Sequence, residues 1–165
     1  MRRIVALVLV CACVLCSCGE VSESPQGIIE RVRGKYADSL GAVSLYYSGA
    51  EEGHDGSIDE GLIIAMLGDG GMPEEMMAVR EYAFLCSARM FLGEVWAIEC
   101  YTYTGAREVY ALMEKRKKLL CGPDYEDARD ADAAAGAALV REGKWVFFAV
   151  NAAGAEIVEY MIGGV

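Results

Sequence analysis

Three cysteines in the body of the chain, Cys86, Cys100 and Cys121, and one histidine, His54, carry the side chains best suited to nucleophilic, redox or metal chemistry. A cysteine nucleophile must exist as thiolate, and that requires a nearby cation, a metal or a helix N-terminus. Cys86 and Cys100 fall on neighbouring predicted strands and could face each other as a disulfide. Small apolar packing is the usual fate of cysteine within a strand, so buried free thiols are the favoured reading. An odd count of three leaves one unpaired in either case. A Cys–His couple would need His54 to approach one of these thiols, and nothing in the spacing brings it there. With Glu51, Glu52 and Asp55, His54 offers ligands for a divalent cation. Zinc sites draw several ligands from fixed elements, whereas these four sit in a glycine-rich loop, so a solvated loop is expected.

The remaining acids and glycines follow the same logic. Asp124, Glu126, Asp127, Asp130 and Asp132 cluster, and Asp130-Ala131-Asp132 alternates as a calcium loop does. Alanines follow where the glycine and the distal glutamate should fall, so a solvated helix face is the stronger reading. No Gly-x-Ser-x-Gly elbow occurs. Gly68-Asp69-Gly70-Gly71 follows a helix and lacks the lysine of a phosphate loop, so it reads as a turn. The expectation is no catalytic residue, no metal and no cofactor, hence not an enzyme.

The cysteine with the clearest chemistry lies near the start. Met1-Arg2-Arg3 precedes an apolar run from Ile4 to Leu15, and Leu15-Cys16-Ser17-Cys18 follows. Two arginines, a short apolar core and small residues form an export signal. The run of 12 residues is shorter than the roughly 20 that a spanning helix needs. Leu-Cys-Ser-Cys resembles the lipobox of bacterial lipoproteins, with cleavage between Ser17 and Cys18 and a diacylglyceryl thioether on the Cys18 sulfur. Leu15, three residues before Cys18, suits that peptidase better than an ordinary signal peptidase, which prefers a small side chain there. Cys16 departs mildly from the usual alanine, serine or threonine. Two acyl chains anchor a protein stably, where one gives only a partition constant of about 10⁴ M⁻¹. The expected location is the cell membrane, lipid-anchored, on the extracytoplasmic face.

Three segments follow: residues 1–17 as lipoprotein signal peptide, 18–26 as tether, and 27–165 as a single domain. Removing residues 1–17 takes away Arg2 and Arg3 and no acid, leaving 148 residues with 13 basic and 25 acidic side chains, a formal charge of −12. That balance argues against nucleic acid and against an anionic membrane surface as direct partners. The lipid on Cys18 is then the only evident membrane contact.

The body must position whatever it binds. Ile28, Ile29, Val32, Tyr36 and Leu40 recur at helical spacing and predict a helix over 26–39. Val43, Leu45 and Tyr47 alternate as a short strand would. Ser57-Ile58-Asp59-Glu60 matches a capping box before Leu62, Ile63, Met66 and Leu67. Pro73-Glu74-Glu75 suits a first helical turn running to Val79. Tyr82, Phe84 and Cys86 alternate with Ala83, Leu85 and Ser87, and a second strand spans 94–103 after a loop at 88–93. Thr104 is placed to cap a helix carrying Val109, Leu112, Met113, Arg116, Leu119 and Leu120, with Lys115 to Lys118 favouring the negative end of its dipole. Residues 124–135 read as helical. A hairpin about Arg141-Glu142-Gly143 joins strands 137–140 and 144–150, the latter apolar on both faces and therefore central. A helix from Ala152 to Met161 closes the chain. The order predicts α+β: a single antiparallel sheet of about four strands packed with helices, with a strand–strand–helix unit occurring twice.

From Pro73 to Ile162 this pattern resembles a bacterial lipoprotein family known as domain of unknown function 4358 (DUF4358). The resemblance rests on the lipobox, the tether and the first amphipathic helix. It also rests on Tyr82-Ala83-Phe84-Leu85-Cys86-Ser87 before Glu94-Val95-Trp96-Ala97-Ile98-Glu99, on the charged helix Ala106 to Leu120, and on Gly143-Lys144-Trp145-Val146-Phe147-Phe148-Ala149-Val150. It implies an envelope lipoprotein of unassigned activity and carries over no catalytic residue. The functional expectation is a binding or interaction module for an unknown envelope protein or a small ligand. The alternative is a thiol-based envelope enzyme or redox factor using Cys86, Cys100 or Cys121.

Overall fold

The computed structural model describes residues 23–51, 54–87 and 93–163. Ser17 and Cys18, with the rest of the signal segment, lie outside these residues, as do Glu52 and most of the loop expected at 88–93. Five strands, β1 (Val43–Tyr47), β2 (Val79–Ser87), β3 (Val95–Cys100), β4 (Ala138–Glu142) and β5 (Trp145–Ala149), form one open sheet in the order β1-β2-β3-β5-β4. Every neighbouring pair is antiparallel. The helices are α1 (Pro25–Lys35), α2 (Ala37–Leu40), α3 (Glu60–Leu67), α4 (Tyr103–Cys121), α5 (Ala128–Ala135) and α6 (Gly154–Gly163), with a 3₁₀ turn at Glu74–Ala78. The architecture is α+β, and the short alternating segment at Val43 supplies the fifth strand.

Period-two alternation decides which side chains meet which helices. Ala83, Leu85, Ala97 and Phe147 point to one face, where α1, α2 and α6 cover them. Phe84, Trp96, Ile98 and Phe148 point to the other, beneath α3 and α4. The strand–strand–helix unit occurs twice, as β2–β3–α4 and β4–β5–α6, and the two units lay their helices on opposite faces. β5 is buried along its whole length, as a strand apolar on both sides and set between β3 and β4 must be. One register row crosses the entire sheet on the α3–α4 face: Tyr46, Phe84, Trp96, Phe148 and Leu139. Phe84 and Trp96 stack at 3.9 Å between centroids. Phe84, Trp96 and Phe148 are fully buried and each contributes roughly 1.5–3 kcal/mol of transfer free energy, so this row registers the strands.

The helix expected over 26–39 divides at Tyr36, whose φ of −110° and ψ of 22° interrupt it between α1 and α2. Tyr36 donates to Glu156 on α6 at 2.9 Å, and Asn151 donates its amide to the Ser39 carbonyl. These contacts set the C-terminal end of α1–α2 beside the C-terminal end of β5. α1 therefore begins at the opposite end of the sheet, with Ser24 accepting from the Gly27 N–H and Glu23 pairing with Arg31 at 2.9 Å. Two expected caps are corrected. Asp59, not Ser57, caps α3 by accepting from Gly61 N–H, because its short carboxylate reaches an amide two residues on. Thr102, not Thr104, caps α4 through Gly105 N–H, because β3 ends at Cys100 and the chain turns earlier than its aromatic run suggests.

Candidate ligand cleft

A cleft of about 400 Å³ opens between α3 and α4 on the Trp96 face of the sheet. Met66 and Leu67 form one wall, Leu112 and Leu119 the other, and Pro73 and Glu75 close the side nearest the 3₁₀ turn. Its volume lies within the range of small-molecule sites. Leu119 is 66% exposed at the rim. The helical spacing grouped it with the buried stripe, but α3 stops at Leu67, ahead of the position where it would cover Leu119.

The cleft rests on a buried ion pair. Arg116, one of its lining residues, reaches from α4 to Glu94, the residue before β3. Glu94 is 1% exposed. Its Oε2 accepts from Arg116 Nε at 3.3 Å and from the Trp96 indole Nε1–H at 3.2 Å, while Oε1 accepts from Arg116 Nη2. Two parallel donors from a planar guanidinium fix orientation as well as charge. Lys115 lies 3.6 Å from Glu75 at the mouth. The two α4 cations that line the cleft, Lys115 and Arg116, are thus each paired with an acid, which leaves apolar walls around a few fixed polar groups.

The helix-end cations read as dipole partners do more than that. Arg116 holds Glu94, and Lys117 donates to the Ala137 carbonyl at 2.7 Å, so α4 is pinned to the start of both β3 and β4. Glu94 and Arg116 are the site residues that sequence reasoning missed. The signal was present: Arg116 occupies an apolar-stripe position, and a charge there requires a buried counter-charge. Glu94 heads a strand with no other role for an acid at its start.

The thiols are not gathered. Cys86, Cys100 and Cys121 are free. Cys100 registers with Val79 at the start of β2, while Cys86 lies at the far end of that strand. At about 3.3 Å per residue they are about 20 Å apart, and a disulfide spans less than about 7 Å between Cα atoms. Burial pushes the Cys86 thiol up to about 11, with the Glu94 charge adding to it, and burial pushes Cys100 to about 11 as well. A thiol with that pKa is ionised in about one molecule in 10⁴ at pH 7. Maleimide at pH 7 is expected to leave both silent in the native protein and to modify both in urea. Prompt native labelling of either would reinstate thiol chemistry. Because the folded pKa lies above the ordinary value of 9.0, the unfolded chain loses these protons first. Stability is therefore expected to fall as pH rises from 9 to 11.

His54 is exposed, 3.7 Å from Glu51. Among the described residues no three His, Cys, Asp or Glu side chains converge as metal ligands. Asp127 caps α5 by accepting from Arg129 N–H, which gives one member of the acidic cluster a structural task. No helix among the described residues is long and apolar enough to cross a membrane. No protein-family model, curated protein or solved structure matches this chain.

Proposed function

We propose that this chain is a membrane-anchored extracytoplasmic lipoprotein, lipidated on Cys18, that serves as a binding module and belongs with the DUF4358 lipoproteins. The observation that carries the binding role is the α3–α4 cleft, whose polar floor is held rigid by Glu94 and Arg116. Preorganised polar groups beneath apolar walls favour ligand recognition, since little order is lost on binding. The anchoring role rests on the Leu15-Cys16-Ser17-Cys18 motif. The placement of the cleft suits it: α1 begins at one end of the sheet, and the Glu94 floor lies at the other, where Val150 N–H bonds the Glu94 carbonyl. A tether attached ahead of α1 leaves the cleft on the side away from the bilayer. The burial of Cys86 and Cys100, and the upward push that partial burial gives the Cys121 thiol, speak against the thiol-based alternative.

Growth with a palmitate analogue is expected to label the parent and not Cys18→Ser, and equal labelling of both sinks the anchoring role. Native mass spectrometry of the detergent-extracted lipoprotein, incubated with small-molecule extract of the producing cells, addresses binding. A bound species should appear on the parent and be lost in Leu119→Asp, which alters only an exposed rim residue. A parent that stays unliganded overturns the cleft as a binding site.

A further inference from the structure

β1 is one edge of the open sheet, and part of its outer side is unpaired. Tyr47 fixes which groups face outward. Its N–H donates away from the sheet to the Gly56 carbonyl at 3.1 Å, whereas the N–H of Ser48, one residue on, donates inward to Tyr82 at 2.9 Å. Backbone groups alternate sides along an antiparallel strand, so Val43 and Leu45 also point N–H and C=O outward. Among the described residues these groups have no backbone partner on that side.

An apolar edge with free donors and acceptors templates another strand unless the sequence blunts it. The opposite edge is blunted, because β4 ends in the exposed charges of Arg141 and Glu142. β1 reads Val-Ser-Leu-Tyr-Tyr and holds neither charge nor proline. The 54–57 loop pairs with β1 only at Tyr47, which leaves a slot over Val43 and Leu45. Two cavities of about 500 and 460 Å³ adjoin this outer side, and Arg33 lines both. Neither shares a lining residue with the α3–α4 cleft. Arg33 is exposed and forms no ion pair among the described residues. An exposed guanidinium with no ion pair among the described residues, set beside a free backbone edge, selects a carboxylate. Asp55 lines only the cavity at the Gly56 end and disfavours an acid there.

We propose that the outer edge of β1 takes up an extended, acidic peptide segment of a partner protein as a sixth strand. Val43 and Leu45 supply backbone hydrogen bonds, and Arg33 pairs with a side-chain carboxylate near the Val43 end. This is strand addition, in which the main chain supplies affinity and the side chains specificity. A second copy of this chain fits less well. Its β1, Val-Ser-Leu-Tyr-Tyr, has no carboxylate to offer Arg33.

The test is fluorescence anisotropy of the full chain with three labelled seven-residue peptides. One alternates valine and aspartate, one replaces aspartate with lysine, and one is the aspartate peptide N-methylated at alternate amides. The aspartate peptide is expected to bind at least tenfold tighter than the lysine peptide, and N-methylation on the edge-facing amides should abolish binding. Leu45→Pro removes an outward-facing N–H and should weaken binding at least tenfold. Should Leu45→Pro misfold, Arg33→Glu, at an exposed helical position, keeps the test decisive: it should reverse the aspartate–lysine preference. Equal binding of the two charges, undiminished binding after N-methylation, or no binding of any peptide overturns the proposal. So does sedimentation showing a dimer in which the Leu45 amide is protected from exchange, which assigns the edge to a second copy.

Discussion

Arg116→Ala is expected to destabilise the domain by about 3–5 kcal/mol, the range for removing one partner of a buried ion pair. The loss comes less from the missing attraction than from what stays behind. Glu94, 1% exposed, would keep its charge with only the Trp96 indole N–H as a side-chain donor. A second, exposed ion pair calibrates the claim. Arg80 meets Glu99 at 3.0 Å, but the Arg80 side chain is 54% exposed. Arg80→Ala should therefore cost no more than about 1 kcal/mol, because water already solvates that pair. Replacing both buried partners, as Glu94→Gln with Arg116→Met, should recover much of the loss, since no uncompensated charge remains. Urea unfolding followed by tryptophan emission reads all three variants. A cost for Arg116→Ala equal to that of Arg80→Ala would mean that water reaches Glu94, and the rigid floor of the cleft would fall with that result.

Alternation along 79–87 and 144–150 named the two faces of the sheet correctly, because a strand buried on both sides leaves few other patterns. The strand–strand–helix unit was visible twice for the same reason. Which face each helix covers was not visible, because α4 and α6 have similar apolar stripes and only tertiary pairing separates them. Glu94 and Arg116 were legible singly and not as a pair. They are 22 residues apart, and each had an adequate local explanation, as strand start and as helix-end cation. Leu119 was misread because periodicity marks a helix face without saying how far along it a neighbour extends. β1 was visible only as a short alternation, and its free edge emerges from the register and from the turn at Gly56.

Gly154→Ala is expected to cost about 3 kcal/mol, at the upper end of overpacking penalties, because the space is closed by backbone. A Cβ at Gly154 would come closer than 3.0 Å to the Gly136 carbonyl oxygen and to within 3.1 Å of that of Ala149. A Cβ at Gly136 would in turn come closer than 3.0 Å to the carbonyl oxygens of Asn151 and Ala152. Neither glycine has a left-handed φ, so the requirement is room, not conformation. The joint between the end of α5 and the start of α6 has no side chain to rotate away. It also serves both faces of the sheet. Ala137, the next residue, receives Lys117 from α4, while Asn151 caps α6 through Ala153 N–H and holds the Ser39 carbonyl. Forcing the strands apart here should therefore loosen α4 above the cleft as well as α1. Gly136→Ala should cost a similar amount, and the double variant should cost less than the sum, because one displacement makes room for both methyl groups. Gly34→Ala supplies the opposite sign: nothing lies within 4 Å of its Cβ position in α1, so it should stabilise by about 0.5 kcal/mol through helix propensity. Thermal and urea midpoints of the four variants decide the matter. Gly154→Ala at or above the parent's stability would mean that the two backbones do not approach as closely as the α5–α6 joint requires.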